Sequence, residues 1–167
     1  MTSDQLVLYN RLFKKQRRRR LCEWKVVSVR ECPAPEDLSL VNTPTTAVAY
    51  WHAHIATAPH FSPDCECLAV LVLNTKLRVR GHHVVSIGGL NETQSHPREI
   101  FRVAIAAAGY SIVLMHNHPS GEPEPSDADR RLTKRVSEAG ALLQIEVRDH
   151  IIVGHHRHFS FREAGML

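Results

Sequence analysis

The sequence predicts an α/β fold, a three-layer α-β-α sandwich around a mixed sheet, for residues 42–167. Two observations support this prediction. Apolar segments of strand length alternate along the chain with segments that begin at helix-capping residues. The helical segments fall before and between the strands, so they can cover both faces of one sheet. With 167 residues and 43% hydrophobic content, the chain can form one well-packed domain but hardly two.

The first helix and the first two strands are predicted at the start of this domain. Asn42 or Thr43 can cap a helix over about residues 44–57, since the first helical residue is a proline, which suits that position. Apolar runs then predict strands near residues 66–73 and 77–86.

The second helix begins at another capping signal. Ser95 or His96 can cap it, with Pro97 in its first turn. Gly109 is predicted to end it, because glycine readily adopts the left-handed conformation that follows helix C-termini. The apolar run after that glycine predicts a strand over residues 111–116.

The third helix follows a Pro- and Gly-rich segment that must turn. Ser126 is typical of an N-cap, and the Ala, Arg and Leu residues after it predict a helix over residues 127–139 that Gly140 ends. The remaining strands of the mixed sheet are predicted near residues 142–147, 150–154 and 157–161.

The spacing of His116, His118 and Asp129 is the most informative pattern in the chain. Side chains along a strand repeat every second residue, so the two imidazoles project from the same face and can bind one ion. The turn after them can bring Asp129, in the first turn of the third helix, back beside the two imidazoles. Three such ligands leave one position of a tetrahedral ion open, which is typical of a catalytic zinc (Zn²⁺).

Water would fill the open position, and zinc lowers the pKa of such a water to about 7. A general base is still needed to take the proton. Glu66 is the best candidate, because it is a single acid that opens an otherwise apolar strand. A carboxylate there is costly to bury unless something compensates it.

With these residues, the chain resembles the RadC branch of the JAB/MPN (JAMM) metalloprotease superfamily. That superfamily carries an upstream Glu, then His-x-His, then Ser and Asp at fixed intervals, which match Glu66, His116, His118, Ser126 and Asp129. The resemblance covers roughly residues 42–167. The phrases similar to the RadC branch are Leu73–Lys76, His96–Glu99, His116–Gly121, Asp149–Ile152 and Ser160–Glu163.

The resemblance implies a cytidine-deaminase-like sandwich in which His116, His118 and Asp129 bind zinc. It implies that Glu66 shuttles the proton and that Ser126 stabilises the oxyanion. The implied reaction is hydrolysis of a peptide or isopeptide bond. The sequence assigns no chemical role to four further residues of the shared phrases, namely Arg98, Glu99, Asp149 and His150.

Simpler readings stand beside these assignments. Ser126 and Asp129 are also the pattern of a capping box, in which two side chains satisfy helix amides. Asp127 is the nearest competing ligand, although a carboxylate there would also favour the helix N-terminus electrostatically. Glu66 could be a solvated acid at a strand end. A zinc deaminase would use a similar site, but its His-x-Glu and Pro-Cys-x-x-Cys motifs are absent.

Composition predicts a cytoplasmic enzyme without membrane association. No apolar stretch approaches the length of a membrane span, and the first ten residues contain no secretory apolar core ahead of the charges. Cys22, Cys32, Cys65 and Cys67 lack the Cys-x-x-Cys pairs of a structural zinc site, so we expect reduced thiols, with Cys65 and Cys67 on one buried strand face.

The positive charge lies in the N-terminal segment. Residues 1–40 contain nine Lys or Arg and five Asp or Glu, whereas the rest of the chain contains twelve of each. The block Lys14–Arg20 can neutralise phosphates of DNA or RNA, and a solvated helix or flexible arm explains it equally well. The alternative function is therefore a nucleic-acid-associated, DNA-repair-type module with a metal in a structural or other hydrolytic role.

Residues 1–41 are predicted to form a separate basic arm with one short strand, Trp24–Val29. Fuller RadC sequences carry a helix-hairpin-helix region ahead of the catalytic domain. Residues 1–41 contain no glycine, so the glycine-containing hairpins of that region are not recognisable here. DNA binding therefore does not follow from the resemblance.

Overall fold

The structure, a computed structural model, describes residues 39–88 and 96–167. These residues form helices and strands in the predicted order, except that a single strand stands where two were predicted near residues 142–147 and 150–154. A π-helical turn, Trp51–Ile55, continues the first helix. The helices are α1 (Pro44–Tyr50), α2 (Pro97–Ala106) and α3 (Asp127–Leu143); the strands are β1 (Cys67–Leu73), β2 (Val79–Ile87), β3 (Ser111–Asn117), β4 (Glu146–Val153) and β5 (His158–Ser160).

The strands form one mixed sheet in the order β2-β1-β3-β4-β5. β3 and β4 run parallel, and each other neighbouring pair runs antiparallel. β1 and β3 are central and are buried along their whole length. Because these two strands run in opposite directions, the residues just before β1 lie beside the residues at the end of β3.

Two apolar cores lie on the two faces of the sheet. On one face, Trp51 and Ile55 from the first helical segment pack with Met115 of β3. On the other face, Phe101 of α2 and Val136 of α3 pack against the sheet. Helices on both faces of a mixed sheet confirm the predicted α/β class.

The predicted first helix is confirmed, with a difference in its last turn. Its cap is Thr43, whose hydroxyl accepts the Thr46 N–H at 3.2 Å. From Trp51 to Ile55 the turn widens, and the Ala56 N–H donates to the Trp51 carbonyl at 2.9 Å. Trp51 and Ile55 are each at most 1% exposed, so the wider turn is anchored in the core.

His96 caps α2 through its ring Nδ1, which accepts a backbone N–H two residues ahead at 3.1 Å. The helix ends at Ala106, and Ala108 rather than Gly109 adopts the left-handed φ of 46°. Gly109 instead permits a close approach, because a Cβ there would lie 2.4 Å from Val72 Cγ1.

The predicted stop of α3 at Gly140 is wrong. The helix continues to Leu143, and Gln144 takes the left-handed conformation, with φ of 56°. Gly140 lies inside the helix, where a Cβ would be 2.6 Å from the Ile145 carbonyl oxygen. The missing side chain therefore lets α3 pack closely against the chain that follows it.

β4 is a single strand where the sequence pattern predicted two, near residues 142–147 and 150–154. Residues 142 and 143 belong to α3. Between the predicted strands, the pairing of β4 with β3 skips Arg148. The polar interruption in the apolar pattern is thus a register irregularity within one strand, and no turn occurs there.

Replacing Gly140 with alanine is expected to lower the free energy of unfolding by about 1–3 kcal/mol, because the added methyl group overlaps a backbone carbonyl and the backbone must move. Gly81→Ala is the matched control, since a Cβ at Gly81 has no atom within 4 Å and should change the free energy by under about 0.5 kcal/mol. Denaturant unfolding measures both. Equal losses in the two variants would contradict the packing role.

Several predictions fall outside the described residues. They concern the basic block Lys14–Arg20, the strand Trp24–Val29, and Ser95 as a cap. Among the residues that the structure describes, no helix is both long and apolar enough to cross a membrane.

Candidate metal centre

Three segments bring four ligand-type side chains together at one end of the sheet. His116 lies near the end of β3 and His118 just beyond it, while Asp129 lies in the first turn of α3. Glu66 directly precedes β1. Leu68 of β1 pairs with His116, so Glu66 is brought alongside the end of β3.

The ligand atoms of these four side chains all lie within 4.8 Å of one another. The Nε2 atoms of His116 and His118 are 3.1 Å apart, and Asp129 Oδ1 is 3.2 Å from His116 Nε2. Glu66 Oε1 lies 3.7 Å from His116 Nε2 and 3.9 Å from His118 Nε2. The side chains of His116 and Asp129 are fully buried, whereas those of His118 and Glu66 are 16% and 18% exposed. The cluster is therefore reached from the side of Glu66 and His118.

This donor set fits a bound cation. His118 donates from Nδ1 to the Glu122 carbonyl at 2.8 Å, so its neutral form directs the Nε2 lone pair into the cluster. Asp129 Oδ1 is buried without a hydrogen-bond partner, although Oδ2 accepts from both the N–H and the hydroxyl of Ser126. A buried carboxylate oxygen without a partner is costly, and a cation would offset that cost. Imidazole nitrogens with carboxylate oxygens are ligands that zinc binds.

The charges of the cluster also suit a cation. Burial raises the pKa of the Asp129 carboxyl, but the adjacent His116 and His118 rings and the hydrogen bonds from Ser126 outweigh burial and hold this pKa far below its usual range. The Asp129 carboxylate, with Oδ2 3.5 Å from His118 Nε2, raises the pKa of His118 against the effect of burial. Asp129 therefore stays ionised inside the protein.

Four of the five predicted site residues lie in the cluster, and the fifth, Ser126, is bonded to one of them. Ser126 Oγ donates to Asp129 Oδ2 at 2.6 Å and accepts the Asp129 N–H at 3.2 Å. This is a capping box, so Asp129 caps the helix and faces the cluster at once. The competing acid, Asp127, is exposed in the first turn of α3 and does not belong to the cluster.

Asn117, between the two histidines, has a role that the sequence pattern did not indicate. Its Oδ1 accepts the Cys67 N–H at 2.9 Å, and its Nδ2 donates to the Cys65 carbonyl at 3.0 Å. These two backbone groups flank Glu66. The side chain that alternates away from the cluster thus fixes the backbone that presents Glu66 to it.

Replacing Asn117 with alanine is expected to lower the free energy of unfolding by about 1–3 kcal/mol, because the buried Cys67 N–H loses its partner. Asn74→Ala is the matched control: Asn74 likewise makes two hydrogen bonds to backbone, with Oδ1 accepting two N–H groups, but in a more exposed turn where water can replace it. Urea unfolding compares the two losses. A smaller loss of unfolding free energy for Asn117→Ala than for Asn74→Ala would refute the role of Asn117 in holding the backbone around Glu66.

Residues of the RadC-like sequence phrases that had no predicted role lie in two different environments. His150 lies directly behind His116, with Nε2 2.9 Å from His116 Nδ1, and is fully buried. Arg98 and Glu99 form an exposed ion pair at 3.1 Å on α2, where Glu99 also pairs with Arg102. Such surface pairs contribute little to stability.

Cys65 and Cys67 are free thiols, in agreement with the predicted reduced state. Cys67 is buried in β1, and burial raises its pKa to about 11. Cys65 is only partly buried and precedes the strand, so the two do not share a fully buried face. Cys22 and Cys32 lie outside the described residues.

Comparison with known proteins identifies related sequences. Residues 41–166 match the family described as RadC-like JAB domain. A UPF0758 protein of Chlorobaculum tepidum is 49% identical over 102 residues, which is 61% of this chain and 46% of that protein. A UPF0758 protein of Rubrobacter xylanophilus is 51% identical over 104 residues, 62% of this chain and 45% of that protein. The match thus spans a little under half the length of these relatives.

Proposed function

The chain belongs to the RadC-like JAB domain family, and from this membership and the four-residue cluster we propose that it is a zinc-dependent hydrolase of the metallopeptidase or isopeptidase type. The observation that carries the proposal is the convergence of His116 Nε2, His118 Nε2 and the unpartnered Asp129 Oδ1, with the Glu66 carboxylate beside them. Three ligands and an adjacent acid are the composition of a catalytic zinc site.

A zinc ion at this position would be held by His116, His118 and Asp129, and would supply a Lewis acid that polarises an amide carbonyl and makes water more acidic. The Glu66 carboxylate acts as the general base. It takes the proton of the attacking water and returns it to the departing amine nitrogen. Its partial exposure, 18%, leaves it accessible to substrate from the open side of the cluster.

Ser126 is proposed to donate its hydroxyl hydrogen to the carbonyl oxygen as negative charge develops there. That hydrogen is directed to Asp129 Oδ2 in the structure. Rotation of the hydroxyl would release it, and the Ser126 N–H, 2.8 Å from the same oxygen, would keep Asp129 in place.

The test is metal content and hydrolysis by the tag-free native chain on a panel of peptide and lysine-isopeptide substrates. We expect bound zinc, cleavage that a chelator abolishes, and recovery when zinc is restored. His118→Ala should lose both zinc and activity, whereas His156→Ala, an exposed histidine outside the cluster, should lose neither. Zinc content that His118→Ala leaves unchanged would refute the site. Zinc binding without cleavage of any amide would refute the peptidase activity.

The two roles of Ser126 can be separated by two variants. Ser126→Ala should reduce kcat by about 100-fold and also destabilise the helix by about 1 kcal/mol. Ser126→Gly should reduce kcat as much but cost only a few tenths of a kcal/mol, roughly, because glycine is an acceptable N-cap. Steady-state kinetics and thermal unfolding give both quantities. Normal kcat in the glycine variant would remove Ser126 from the proposed mechanism.

The concentration of positive charge in residues 1–40 supports a second proposal, that Lys14–Arg20 binds the phosphates of DNA or RNA. This proposal does not depend on the metal centre. Binding to a labelled duplex should weaken steeply with salt and should be lost when residues 14–20 are deleted. Binding that the deletion leaves unchanged would refute it.

A further inference from the structure

Behind the metal centre lies a chain of three buried hydrogen bonds. His116 Nδ1 is 2.9 Å from His150 Nε2, and His150 Nδ1 is 2.6 Å from Thr133 Oγ1. Thr133 Oγ1 is also 2.6 Å from the backbone carbonyl oxygen of Asp129. The three linking side chains are at most 2% exposed, so water does not compete for these bonds.

The position of the proton in each of these three hydrogen bonds can be assigned by starting from the Asp129 carbonyl. The Asp129 carbonyl can only accept, and two oxygens 2.6 Å apart need a hydrogen between them, so the Thr133 hydroxyl donates to it. Thr133 has no second hydrogen, and it must accept from His150 Nδ1–H. His150 is fully buried, and its Nε2 faces the His116 ring rather than a carboxylate, so a charged ring there would be costly. The ring is therefore neutral and its Nε2 accepts. His116 therefore carries its proton on Nδ1.

We propose that Thr133 and His150 are positioning residues that hold His116 in the tautomer with a free Nε2 lone pair for the metal. The inference rests on the proposed metal centre. Two tautomers of His116 compete, because Asp129 Oδ1 lies 3.2 Å from Nε2 and would favour a proton there. A proton on Nε2 would occupy the lone pair that the metal needs. The hydrogen bonds that link Thr133, His150 and His116, which we call the Thr133–His150 relay, favour the proton on Nδ1, on the other side of the ring.

His118 is held in the corresponding tautomer by a more direct contact. Its Nδ1 donates to a backbone carbonyl, that of Glu122, which lies in the loop after β3. His116 lies within β3, paired with β1 on one side and β4 on the other. The partner of its Nδ1 is a side chain, that of His150 in the parallel strand β4.

The orientation of His150 is itself fixed. Its ring stacks on Phe161, with centroids 4.9 Å apart and an interplanar angle of 9°. Asp149 Oδ1 accepts the His150 N–H at 2.8 Å, and Ser160 Oγ donates to Asp149 Oδ2 at 2.6 Å. The Phe161 N–H donates to the His150 carbonyl at 3.0 Å. The stacking and these backbone bonds hold the His150 ring between His116 and Thr133.

The relay also joins the two ligands that come from different elements. Asp129 is bound to it through its own backbone carbonyl, and His116 through its ring. A shift of α3 relative to β3 would therefore break the relay as well as separate the ligands. Supporting partners of this kind typically change metal affinity by about 10–100-fold.

The test compares Thr133→Val, which keeps the shape but removes the hydroxyl, with Thr133→Ser, which keeps the hydroxyl. Zinc affinity is measured by competition with a chromophoric chelator. Thr133→Val should bind zinc about 10–100-fold more weakly, and Thr133→Ser should bind nearly as the native chain does. Equal affinity in the valine variant and the native chain would overturn the proposal.

A second readout requires no metal. Long-range ¹⁵N–¹H correlation in the metal-free protein should show His116 protonated on Nδ1 in the native chain and in Thr133→Ser, and protonated on Nε2 to a substantial extent in Thr133→Val. An unchanged tautomer in the valine variant would overturn the relay. If the native chain binds no zinc, the proposed function fails, while this measurement still decides the relay.

A third pair of variants covers the case in which Thr133→Val does not fold. His150→Gln retains an oxygen that can accept the His116 Nδ1–H, whereas His150→Leu does not. The glutamine variant should preserve the His116 tautomer better than the leucine variant. Identical tautomers in both would count against the proposal.

Discussion

Glu66→Gln is expected to reduce hydrolysis by about 100- to 10,000-fold, the contribution of a general base, while zinc stays bound. Glutamine has nearly the same shape but cannot take a proton from water. The metal should remain because His116, His118 and Asp129 are unchanged and lie closer to one another than Glu66 lies to them. Steady-state kinetics and elemental analysis on the same preparation measure both effects.

Glu124→Gln is the matched control for this change. Glu124 is an exposed acid in the loop between His118 and α3, and it does not belong to the cluster. Its replacement removes the same charge and should leave kcat within about twofold of the native value. If Glu66→Gln kept native activity, another group would be the base and Glu66 would be only a neighbour of the site. Loss of zinc in Glu66→Gln would make Glu66 a ligand instead.

Asp129→Asn is expected to weaken zinc binding by more than about 100-fold and to remove hydrolysis with it, since the loss of a ligand exceeds the effect of losing a supporting partner. Asparagine retains the size of the side chain and an oxygen that can accept the Ser126 N–H. We therefore expect part of the helix cap to remain, whereas the negative charge between the imidazoles is lost. Chelator competition and thermal unfolding separate these two effects.

Asp127→Asn controls for the same change of charge in the same helical turn. Asp127 is exposed and outside the cluster, so its replacement removes one favourable charge at the helix N-terminus, worth about 0.3–1 kcal/mol, and should leave zinc affinity unchanged. Equal zinc affinity in the two variants would show that the Asp129 carboxylate is not a ligand.

The residues of the cluster could be predicted because local rules govern each of them. The two-residue period of a strand puts His116 and His118 on one face, and the capping pattern at Ser126 starts α3 where Asp129 must face back towards them. Glu66 was recognisable as the single acid opening an apolar strand. The direction of β1 relative to β3 then brought it beside the others.

The supporting residues could not be predicted in this way, because their partners are set by strand pairing. Asn117 bonds to backbone fifty residues away, and His150 reaches His116 from a strand thirty-four residues further on. No periodicity in either segment indicates these contacts. The predicted end of α3 at Gly140 was wrong for a related reason. A glycine near the end of a helix usually follows its last turn, but here Gly140 allows close packing against Ile145.

His116 occupies the fully buried strand at the centre of the sheet, paired on both sides. Its amide can exchange with deuterium only when the sheet opens, so its protection factor should approach that of global unfolding. His118 lies one residue beyond β3, and its N–H donates to the Val153 carbonyl of β4 at 3.3 Å. His116 thus shares the cooperative unit whose opening requires global unfolding, so its position is set when the sheet folds.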